Sequence, residues 1–356
     1  ILARSLNNSV YTTGHVGKWH MGGQRDVDNA PYITEYGFDE SLTNFEGMGA
    51  KLLPLTKDET GKVDSIWKGA QRLGKPYYWK QRSEITTGFI DAAISFMDEA
   101  VESKKPFYVN VWPDDVHSPF WPSFKEYGIA KKEGKRGLYL AVLEEMDKQF
   151  GKLFEYVQNH EKLRDNTLIV FCSDNGPEKG AGRAGELKGY KTHLYEGGIR
   201  SSLIVWGPKF VNKDVQGTRN RNSVFSAIDL KPSLLDFTNI KESKNTITDG
   251  ENLIRTILGE EKSSRMAPIF FSRPPDRKNY YGFSNLPDLA MRHKNWKLLC
   301  NYNGSNPQLY NIVSDPGETQ NIAHKNTDLV KKMTQQVVDW YKSMPVLKQI
   351  PQSNNK

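Results

Sequence analysis

The chain has 356 residues, enough for one large α/β domain and a smaller second domain. A hydrophobic share of 37% suits a packed core. No apolar run approaches the roughly 20 residues of a spanning helix, so we expect no membrane span. The net charge of +7 allows an anionic partner. Because the lysines and arginines are scattered and form no known nucleic-acid-binding motif, we do not expect that partner to be nucleic acid.

The two cysteines and the first residues of the chain carry separate signals. Cys172 and Cys300 each lie in an apolar, strand-like run, which predicts that both pack as small buried hydrophobic side chains. No Cys-x-x-Cys pair is present, which argues against structural zinc. Residues 1–8 have the pattern of an amphipathic helix without an initiator methionine or a signal segment, and we expect the chain to begin inside a domain.

A lysine and a histidine follow the first predicted strand. Residues 9–13 are β-prone, and residues 14–23 read as a glycine-rich loop that contains Lys18 and His20. At a spacing of two residues, both side chains could face one bound anion. A surface loop with incidental charges explains the same residues equally well.

Residues 24–73 are polar, rich in turn-forming residues and weakly periodic. They predict a long excursion across the top of the sheet, and such excursions commonly carry specificity rather than core. Arg25 and Asp26 stand near its start, and we expect them to contact substrate.

Strands and helices then alternate along the chain. Residues 86–102 and 138–159 have helical periodicity, and residues 106–112 and 167–172 read as buried strands. This order predicts right-handed crossovers and a mostly parallel sheet sandwiched by helices. His117 follows the first of these strands in a proline-fixed turn, where a structural and a catalytic role are both open.

An acid, an amide and a glycine follow the strand 167–172, which is predicted to be buried on both faces. Ligands collect at the carboxyl ends of strands in open α/β sheets, and the oxygens of Asp174 and Asn175 suit Ca²⁺ or Mg²⁺. A simple turn after a strand is the alternative. Lys191 lies further along, in a second basic loop.

The last third of the chain changes in composition near residues 241–256. Before it, residues 202–206 predict a strand and residues 225–237 a capped helix. Beyond it, a small antiparallel α+β domain is predicted, with strands at 267–272, 289–293, 296–301 and 308–311 and a helix at 328–342. We place a main domain at residues 1–255, the C-terminal domain at 256–347 and a disordered tail at 348–356.

Three strand ends and one loop therefore supply metal-type oxygens, two lysines and two histidines to one edge of the sheet. This set suits hydrolysis of an anionic ester, because a cation and lysines stabilise charge on a tetrahedral group while a histidine protonates the leaving alcohol. The residues are Lys18, His20, His117, Asp174, Asn175 and Lys191.

Several motifs, in the same order and over nearly the whole chain, resemble those of type I sulfatases of the alkaline-phosphatase superfamily. The residues that carry the resemblance are Tyr11-Thr-Thr-Gly-His-Val-Gly-Lys-Trp-His20, His117-Ser-Pro119, Phe171-Cys-Ser-Asp-Asn-Gly176, residues 191–200 with Tyr195-Glu-Gly-Gly-Ile-Arg200, Lys231-Pro-Ser-Leu-Leu235, and Leu309-Tyr-Asn-Ile312 with Asp315-Pro-Gly-Glu-Thr-Gln-Asn321. The chain is most similar in pattern to bacterial carbohydrate sulfatases. The resemblance implies an alkaline-phosphatase-like α/β fold and a sulfuric ester hydrolase.

The resemblance also implies roles for individual residues. Asp174 and Asn175 would be metal ligands, usually for Ca²⁺, and Lys18 and Lys191 would bind sulfate oxygens.

Two histidines would act in the chemistry and three further matching residues would be structural. The resemblance implies that His20 hydrogen-bonds the nucleophilic aldehyde hydrate and that His117 contacts sulfate and protonates the leaving group. We expect His15, Glu196 and Arg200 to be structural, with the last two pairing at i, i+4.

One departure from the family pattern concerns the nucleophile. These sulfatases use a formylglycine made from Cys or Ser in a Cys/Ser-x-Pro-x-Arg motif, upstream of Gly-Lys-Trp-His. The sequence has no such motif, and in Ser272-Arg-Pro-Pro-Asp-Arg277 the arginine stands one place too late. We therefore expect an N-terminally truncated chain whose formylglycine lies in the missing segment. As it stands, the chain is expected to bind metal weakly and not to hydrolyse sulfate esters.

The resemblance implies a sulfated carbohydrate or aryl sulfate as substrate and a periplasmic or secreted location. The polar excursion and the aromatic residues near His117 favour carbohydrate. Two alternatives stay open: a phosphomonoesterase or phosphodiesterase of the same superfamily, and a non-catalytic glycan-binding protein. The sequence does not indicate an oligomeric state.

Overall fold

The computed structural model describes residues 1–21, 30–58, 60–66, 69–242, 246–273 and 285–345. By their internal contacts, these residues form two compact units. Unit 1 comprises Ile1–Phe171 and Ile204–Ser264, and unit 2 comprises Cys172–Leu203 and Arg265–Lys356. The predicted domain boundaries remain a prediction, and the predicted tail lies outside the described residues.

Unit 1 contains a six-stranded mixed sheet with helices, which confirms the predicted fold class. Strand β1 (Thr12–Gly17) is central and pairs in parallel with β2 (Glu40–Thr43) and β6 (Phe107–Trp112). Its apolar and small residues suit burial on both sides. The sheet continues through β3, which pairs in parallel with β5 and antiparallel with β4. The strands are β1 (Thr12–Gly17), β2 (Glu40–Thr43), β3 (Lys51–Lys57), β4 (Val63–Ser65), β5 (Tyr77–Gln81) and β6 (Phe107–Trp112).

Helices of unit 1 cover this sheet. Apolar residues at helical spacing, among them Ile90, Met97 and Phe150, form one core with side chains of β6. The predicted helices are present at residues 1–8, 86–102, 138–159 and 225–237, where the last begins with a 3₁₀ turn. The helices are α1 (Leu2–Asn7), α2 (Ile85–Glu102), α3 (Phe124–Lys132), α4 (Gly134–Asn159), α6 (Leu230–Phe237) and α7 (Ile254–Ile257).

Two loop predictions are wrong. The polar stretch 24–73 contributes β2, β3 and β4 to the sheet, since Leu52 and Leu53 are buried despite the flanking lysine and proline. The segment Gly14 to Gly17, predicted as loop, completes β1. Gly14 faces the ring of Phe96, so its lack of a side chain lets the strand approach α2. The strand end therefore lies directly before Lys18.

The strand predicted at 167–172 is present as β7 (Ile169–Cys172) and pairs with β8 (Leu203–Trp206). Its predicted burial on both faces is wrong: Phe171 is 40% exposed and Cys172 is exposed, although Cys300 is buried as predicted. Ile169 packs against the helical core, but within the described part of the chain β7 joins only β8. Because Phe171 and Cys172 are adjacent and point to opposite faces, β7 is exposed on both faces at its end.

Unit 2 contains the predicted antiparallel sheet, in the order β12-β11-β10-β9. One face packs on α8 (Thr327–Ser343) through residues such as Leu298 and Val337. The other face packs on residues 194–199, which include the short helix α5 (Glu196–Ile199). The strands are β9 (Ile269–Ser272), β10 (Leu289–His293), β11 (Trp296–Cys300) and β12 (Gln308–Asn311).

Among the residues that the structure describes, no helix is both long and apolar enough to cross a bilayer.

Candidate functional site

Lys18 and His20 lie together at the end of β1. The Lys18 amide donates to the carbonyl of Trp112 at 2.7 Å, which fixes the end of β1 against the end of β6. Lys18 Nζ is 5.5 Å from the ring centroid of Phe45, and the His20 ring meets the same ring edge-on at 4.8 Å. Phe45 therefore contacts both predicted site residues at the strand end.

Gly17, between β1 and Lys18, has a φ of 111°, a region that favours glycine. A Cβ at this position would overlap the backbone of Trp112. The glycine of the Gly-Lys-Trp-His motif is therefore needed for the close approach of the two strand ends.

His15 has a structural environment, as the sequence suggested. Its ring is fully buried among Trp19, Phe38 and Trp112. Nε2 lies 3.2 Å from the carbonyl of Lys18, so the neutral ring donates from that nitrogen. Burial lowers the pKa of His15 to about 4, and the ring is neutral at neutral pH.

His117 follows β6 in a turn. Its amide donates to the carbonyl of Asp114 at 2.9 Å, and its Nδ1 lies 2.7 Å from the carbonyl of Ser118. The carbonyl can only accept, so Nδ1 carries a proton. Nε2 is then the ring nitrogen that gains and loses a proton.

A buried ion pair that sequence reasoning missed supports this turn. Arg82 Nη1 lies 2.6 Å from Asp114 Oδ1, and Asn44 Nδ2 donates to the same oxygen at 2.7 Å. Burial raises the pKa of Asp114, but the guanidinium and the two hydrogen bonds outweigh it and the pKa lies below its ordinary value. The signal for this pair in the sequence was the two acids Asp114 and Asp115, which follow Pro113 just after the strand. The neighbouring Asp115 differs, because burial raises its pKa to about 6.

Asp174 and Asn175 form a turn at the end of β7, in unit 2. The Asn175 side-chain amide donates to Asp174 Oδ1, and Ser173 Oγ donates to the Asn175 carbonyl at 2.8 Å. The Ser201 hydroxyl accepts from the Ser173 amide at 3.0 Å. The Asp174 side chain is exposed and Asn175 is half-buried, so the Asp174 carboxylate oxygens can reach a ligand.

Glycines bind this turn to the segment that carries Lys191. Gly176 N donates to Gly198 O at 2.8 Å, and Lys191 N donates to Pro177 O at 2.9 Å. A Cβ on Gly176 would overlap the carbonyl of Gly197. Unit 2 thus brings the predicted metal ligands and one predicted sulfate-binding lysine into adjoining backbone.

The donor chemistry of the turn fits a hard cation. A carboxylate and an amide oxygen are ligands that Ca²⁺ and Mg²⁺ accept. Within the described residues no group of three or more His, Cys, Asp or Glu side chains could hold a metal ion. If Asp174 and Asn175 bind a cation as predicted, they would supply only part of its shell and further ligands would be needed.

The predicted site residues fall into two groups and one pair. Lys18, His20 and His117 follow strands β1 and β6 in unit 1, and Asp174, Asn175 and Lys191 belong to unit 2. Arg25 and Asp26 lie outside the described residues. The roles assigned to all eight residues remain predictions.

Two family models match the chain. Residues 1–240 match the model described as Sulfatase, and residues 185–343 match that described as N-sulphoglucosamine sulphohydrolase, C-terminal. The first covers well over half of the chain.

Among curated relatives, an N-acetylgalactosamine-6-O-sulfatase of Bacteroides thetaiotaomicron is 24% identical over 94% of this chain and 75% of its own length. An N-acetylgalactosamine-6-sulfatase of Canis lupus familiaris is 25% identical over 77% of this chain and 51% of its own length. The chain thus spans about half the length of the animal relative.

Solved structures agree with these matches. The crystal structure of Ps i-CgsB in complex with k-i-k-neocarrahexaose has a TM-score of 0.75 and 27% identity, and covers 95% of this chain and 73% of that one. A second crystal structure of Ps i-CgsB gives a TM-score of 0.74 with the same identity and coverage. The chain belongs to the sulfatase family.

Proposed function

We propose that the protein hydrolyses sulfate esters of carbohydrates. The observation that carries the proposal lies in unit 2. There the Lys191 amide donates to the carbonyl of Pro177, two residues after Asn175, and Gly176 N donates to Gly198 O. Oxygen ligands for a divalent cation and a lysine in one rigid element suit a tetrahedral dianion or its ester. Membership of the sulfatase family supports sulfate as that group.

The first role we propose is charge stabilisation. Asp174 and Asn175 would hold Ca²⁺ or Mg²⁺, and such a cation supplies Lewis-acid stabilisation of charge on sulfate oxygens. Lys18 and Lys191 would bind the sulfate oxygens directly. The Phe45 ring keeps the Lys18 ammonium close to the strand end, which limits the entropy lost on binding.

The second role is proton transfer. His117 donates from Nδ1 to the Ser118 carbonyl, so its Nε2 would give a proton to the leaving alcohol. His20, held against Phe45, would hydrogen-bond the nucleophile. We propose that the nucleophile is a formylglycine outside these 356 residues, because they contain no Cys/Ser-x-Pro-x-Arg motif.

The preference for carbohydrate rests on aromatic residues after β6. Trp112 is 44% exposed at the end of the strand. Trp121 stacks on Tyr127 with a centroid separation of 4.9 Å and an interplanar angle of 14°. Trp112 is exposed and Trp121 is half-buried, and exposed aromatic surface of this kind suits the apolar faces of sugar rings. The relatives, N-acetylgalactosamine-6-sulfatases among them, support the same substrate class.

The test is sulfate release from sulfated oligosaccharides by a natural gene product that contains these residues and the formylglycine motif. Lys191→Met is expected to lower kcat/KM by about 100-fold, the usual effect of losing one group that stabilises developing charge. Lys162→Met, at an exposed position in unit 1, is the control and should leave the rate unchanged. Equal rates for both variants would refute the role of Lys191.

A further inference from the structure

The sheet of unit 2 carries a buried charge cluster beneath the segment that holds Lys191. Lys297 on β11 is fully buried, and its Nζ lies 2.9 Å from Glu196 Oε1 and 3.4 Å from Glu318 Oε1. Glu318 is also fully buried, and its Oε2 accepts the Glu196 amide at 2.6 Å. Glu196 is therefore held by its side chain and by its backbone.

Glu196 begins α5, whose glycines hold the turn of Asp174 and Asn175, called the metal turn here for the role proposed above. Gly197 N donates to Lys188 O at 2.7 Å, and Gly198 O accepts from Gly176 N at 2.8 Å. Any movement of Glu196 would thus pass directly to the backbone that follows Asp174 and Asn175. Glu196 of the cluster is two residues from Gly198, and Gly198 is joined by one hydrogen bond to Gly176, the residue after Asn175.

Two further contacts fix the same segment to the sheet. Lys188 Nζ donates to the Glu318 carbonyl at 3.3 Å and lies 4.2 Å above the Tyr195 ring. Tyr195 OH donates to Gln308 Oε1 at 2.9 Å. These contacts flank Lys191 on both sides in the sequence.

The energetics favour a positioning role over one in overall stability. A buried ion cluster costs much desolvation energy and often contributes little net stability, although removal of one partner is strongly destabilising. Burial raises the pKa of Glu318, against the opposing charge of Lys297. Arg200, 3.8 Å from Glu196 Oε2, helps to balance the two carboxylates. In some proteins, buried directional contacts of this kind select one arrangement of the backbone among several.

We propose that Lys297 and Glu318 are positioning residues, which set the metal turn and Lys191 through Glu196 and the glycines of α5. Neither residue would touch substrate or metal. The proposal rests on the proposed function for what the turn binds, but the mechanical link can be tested without activity.

The experiment compares Lys297→Met with Lys294→Met, an exposed lysine in the turn between β10 and β11. Hydrogen–deuterium exchange is followed over residues 172–200 and, separately, over the strands and α8. Lys297→Met is expected to speed exchange in residues 172–200 and to leave α8 protected, while Lys294→Met behaves as the native chain. Native exchange rates in residues 172–200 of a folded Lys297→Met would overturn the proposal.

A second pair of variants guards against misfolding. Glu318→Gln keeps an acceptor for the Glu196 amide and should retain most of the native protection, whereas Glu318→Leu should lose it. Native exchange in Glu318→Leu would overturn the proposal, as would loss of protection throughout unit 2 in both Lys297→Met and Glu318→Leu.

Terbium luminescence, with Tb³⁺ as the Ca²⁺ probe, gives an independent reading on the same proteins. Lys297→Met and Glu318→Leu should weaken Tb³⁺ binding by roughly 10- to 100-fold, as loss of an outer support of a metal site does. Native affinity in both would overturn the proposal. If the native chain binds no Tb³⁺ while the exchange results hold, the metal assignment in the proposed function fails and the mechanical link stands.

Discussion

At the scale of single residues, the environment of a side chain decides its role more than its chemical type. His15 and His117 both belong to matched motifs, yet the first is enclosed by aromatic rings and the second lies in a turn after β6. Arg82 and Asp114 had no motif to mark them, but their buried pair supports the turn of His117.

The buried His15 should make stability depend on pH. Burial lowers its pKa to about 4, so between pH 6.5 and 4 the unfolded chain binds a proton that the native state does not. Stability from this residue is therefore complete above pH 6.5 and falls on acidification by roughly 3 kcal/mol. Burial raises the pKa of Asp115 to about 6. Its contribution to stability therefore increases on acidification, opposite to that of His15.

His15→Asn isolates the histidine contribution. Urea unfolding at pH 7, 5.5 and 4.5 should show that the variant loses less stability on acidification than the native protein. Parallel pH dependences would contradict the neutral, buried state of His15.

Removal of the Arg82 guanidinium should destabilise unit 1 strongly. Arg82→Met leaves the buried Asp114 carboxylate without its counter-charge, which typically costs about 3–5 kcal/mol. Asp114→Asn added to Arg82→Met should recover part of this loss, and the exposed Arg72→Met should change the unfolding free energy by less than about 0.5 kcal/mol. Chemical denaturation measures all three. Equal stability of Arg82→Met and Arg72→Met would exclude the proposed support.

At the scale of elements, glycines decide how closely backbones approach. Gly17 lets the ends of β1 and β6 meet, and Gly176 lets the turn of Asp174 and Asn175 rest on α5. Both sit in sequence motifs that could be recognised in advance, but the partner backbone of each could not.

Gly176→Ala should disrupt the turn of Asp174 and Asn175, because the added methyl group overlaps the Gly197 carbonyl. Forcing a methyl group into packed backbone costs roughly 1–3 kcal/mol. Gly151→Ala, in α4 with open space around it, is the matched control and should stabilise the protein by up to about 1 kcal/mol. Urea unfolding measures the free energy of unfolding of both variants. An unchanged value for Gly176→Ala would argue against the close packing of Gly176 on Gly197.

The sequence predicted elements well where one pattern dominated and poorly where two competed. The helical periodicity of residues 86–102 and 138–159 was sufficient, because each helix buries a single apolar face. Strand β3 was missed because Lys51 and Pro54 interrupt an apolar run, although the Lys51 ammonium is buried and donates to Thr43 Oγ1 at 2.6 Å. For β7 the apolar run predicted a strand but could not show which neighbours cover it.

At the scale of the whole molecule, the predicted site residues are carried by both units. Those that follow β1 and β6 could be predicted because strand ends share one edge of a sheet. The dependence of residues 172–203 on the C-terminal sheet could not be predicted. Glu196 is more than 100 residues from both Lys297 and Glu318 in the sequence, and no single motif contains the three. The C-terminal family model, which begins at residue 185, covers all three.

The central claim, sulfate ester hydrolysis that depends on Asp174, is tested most directly by sulfate release from a sulfated oligosaccharide. The gene product that contains these residues and the formylglycine motif should release sulfate faster than it releases phosphate from a matched phosphate ester. Asp174→Ala should abolish release, Asp147→Ala at an exposed position of α4 should not, and residues 1–356 alone should release none. Faster phosphate release, native activity of Asp174→Ala, or turnover by residues 1–356 alone would contradict the account.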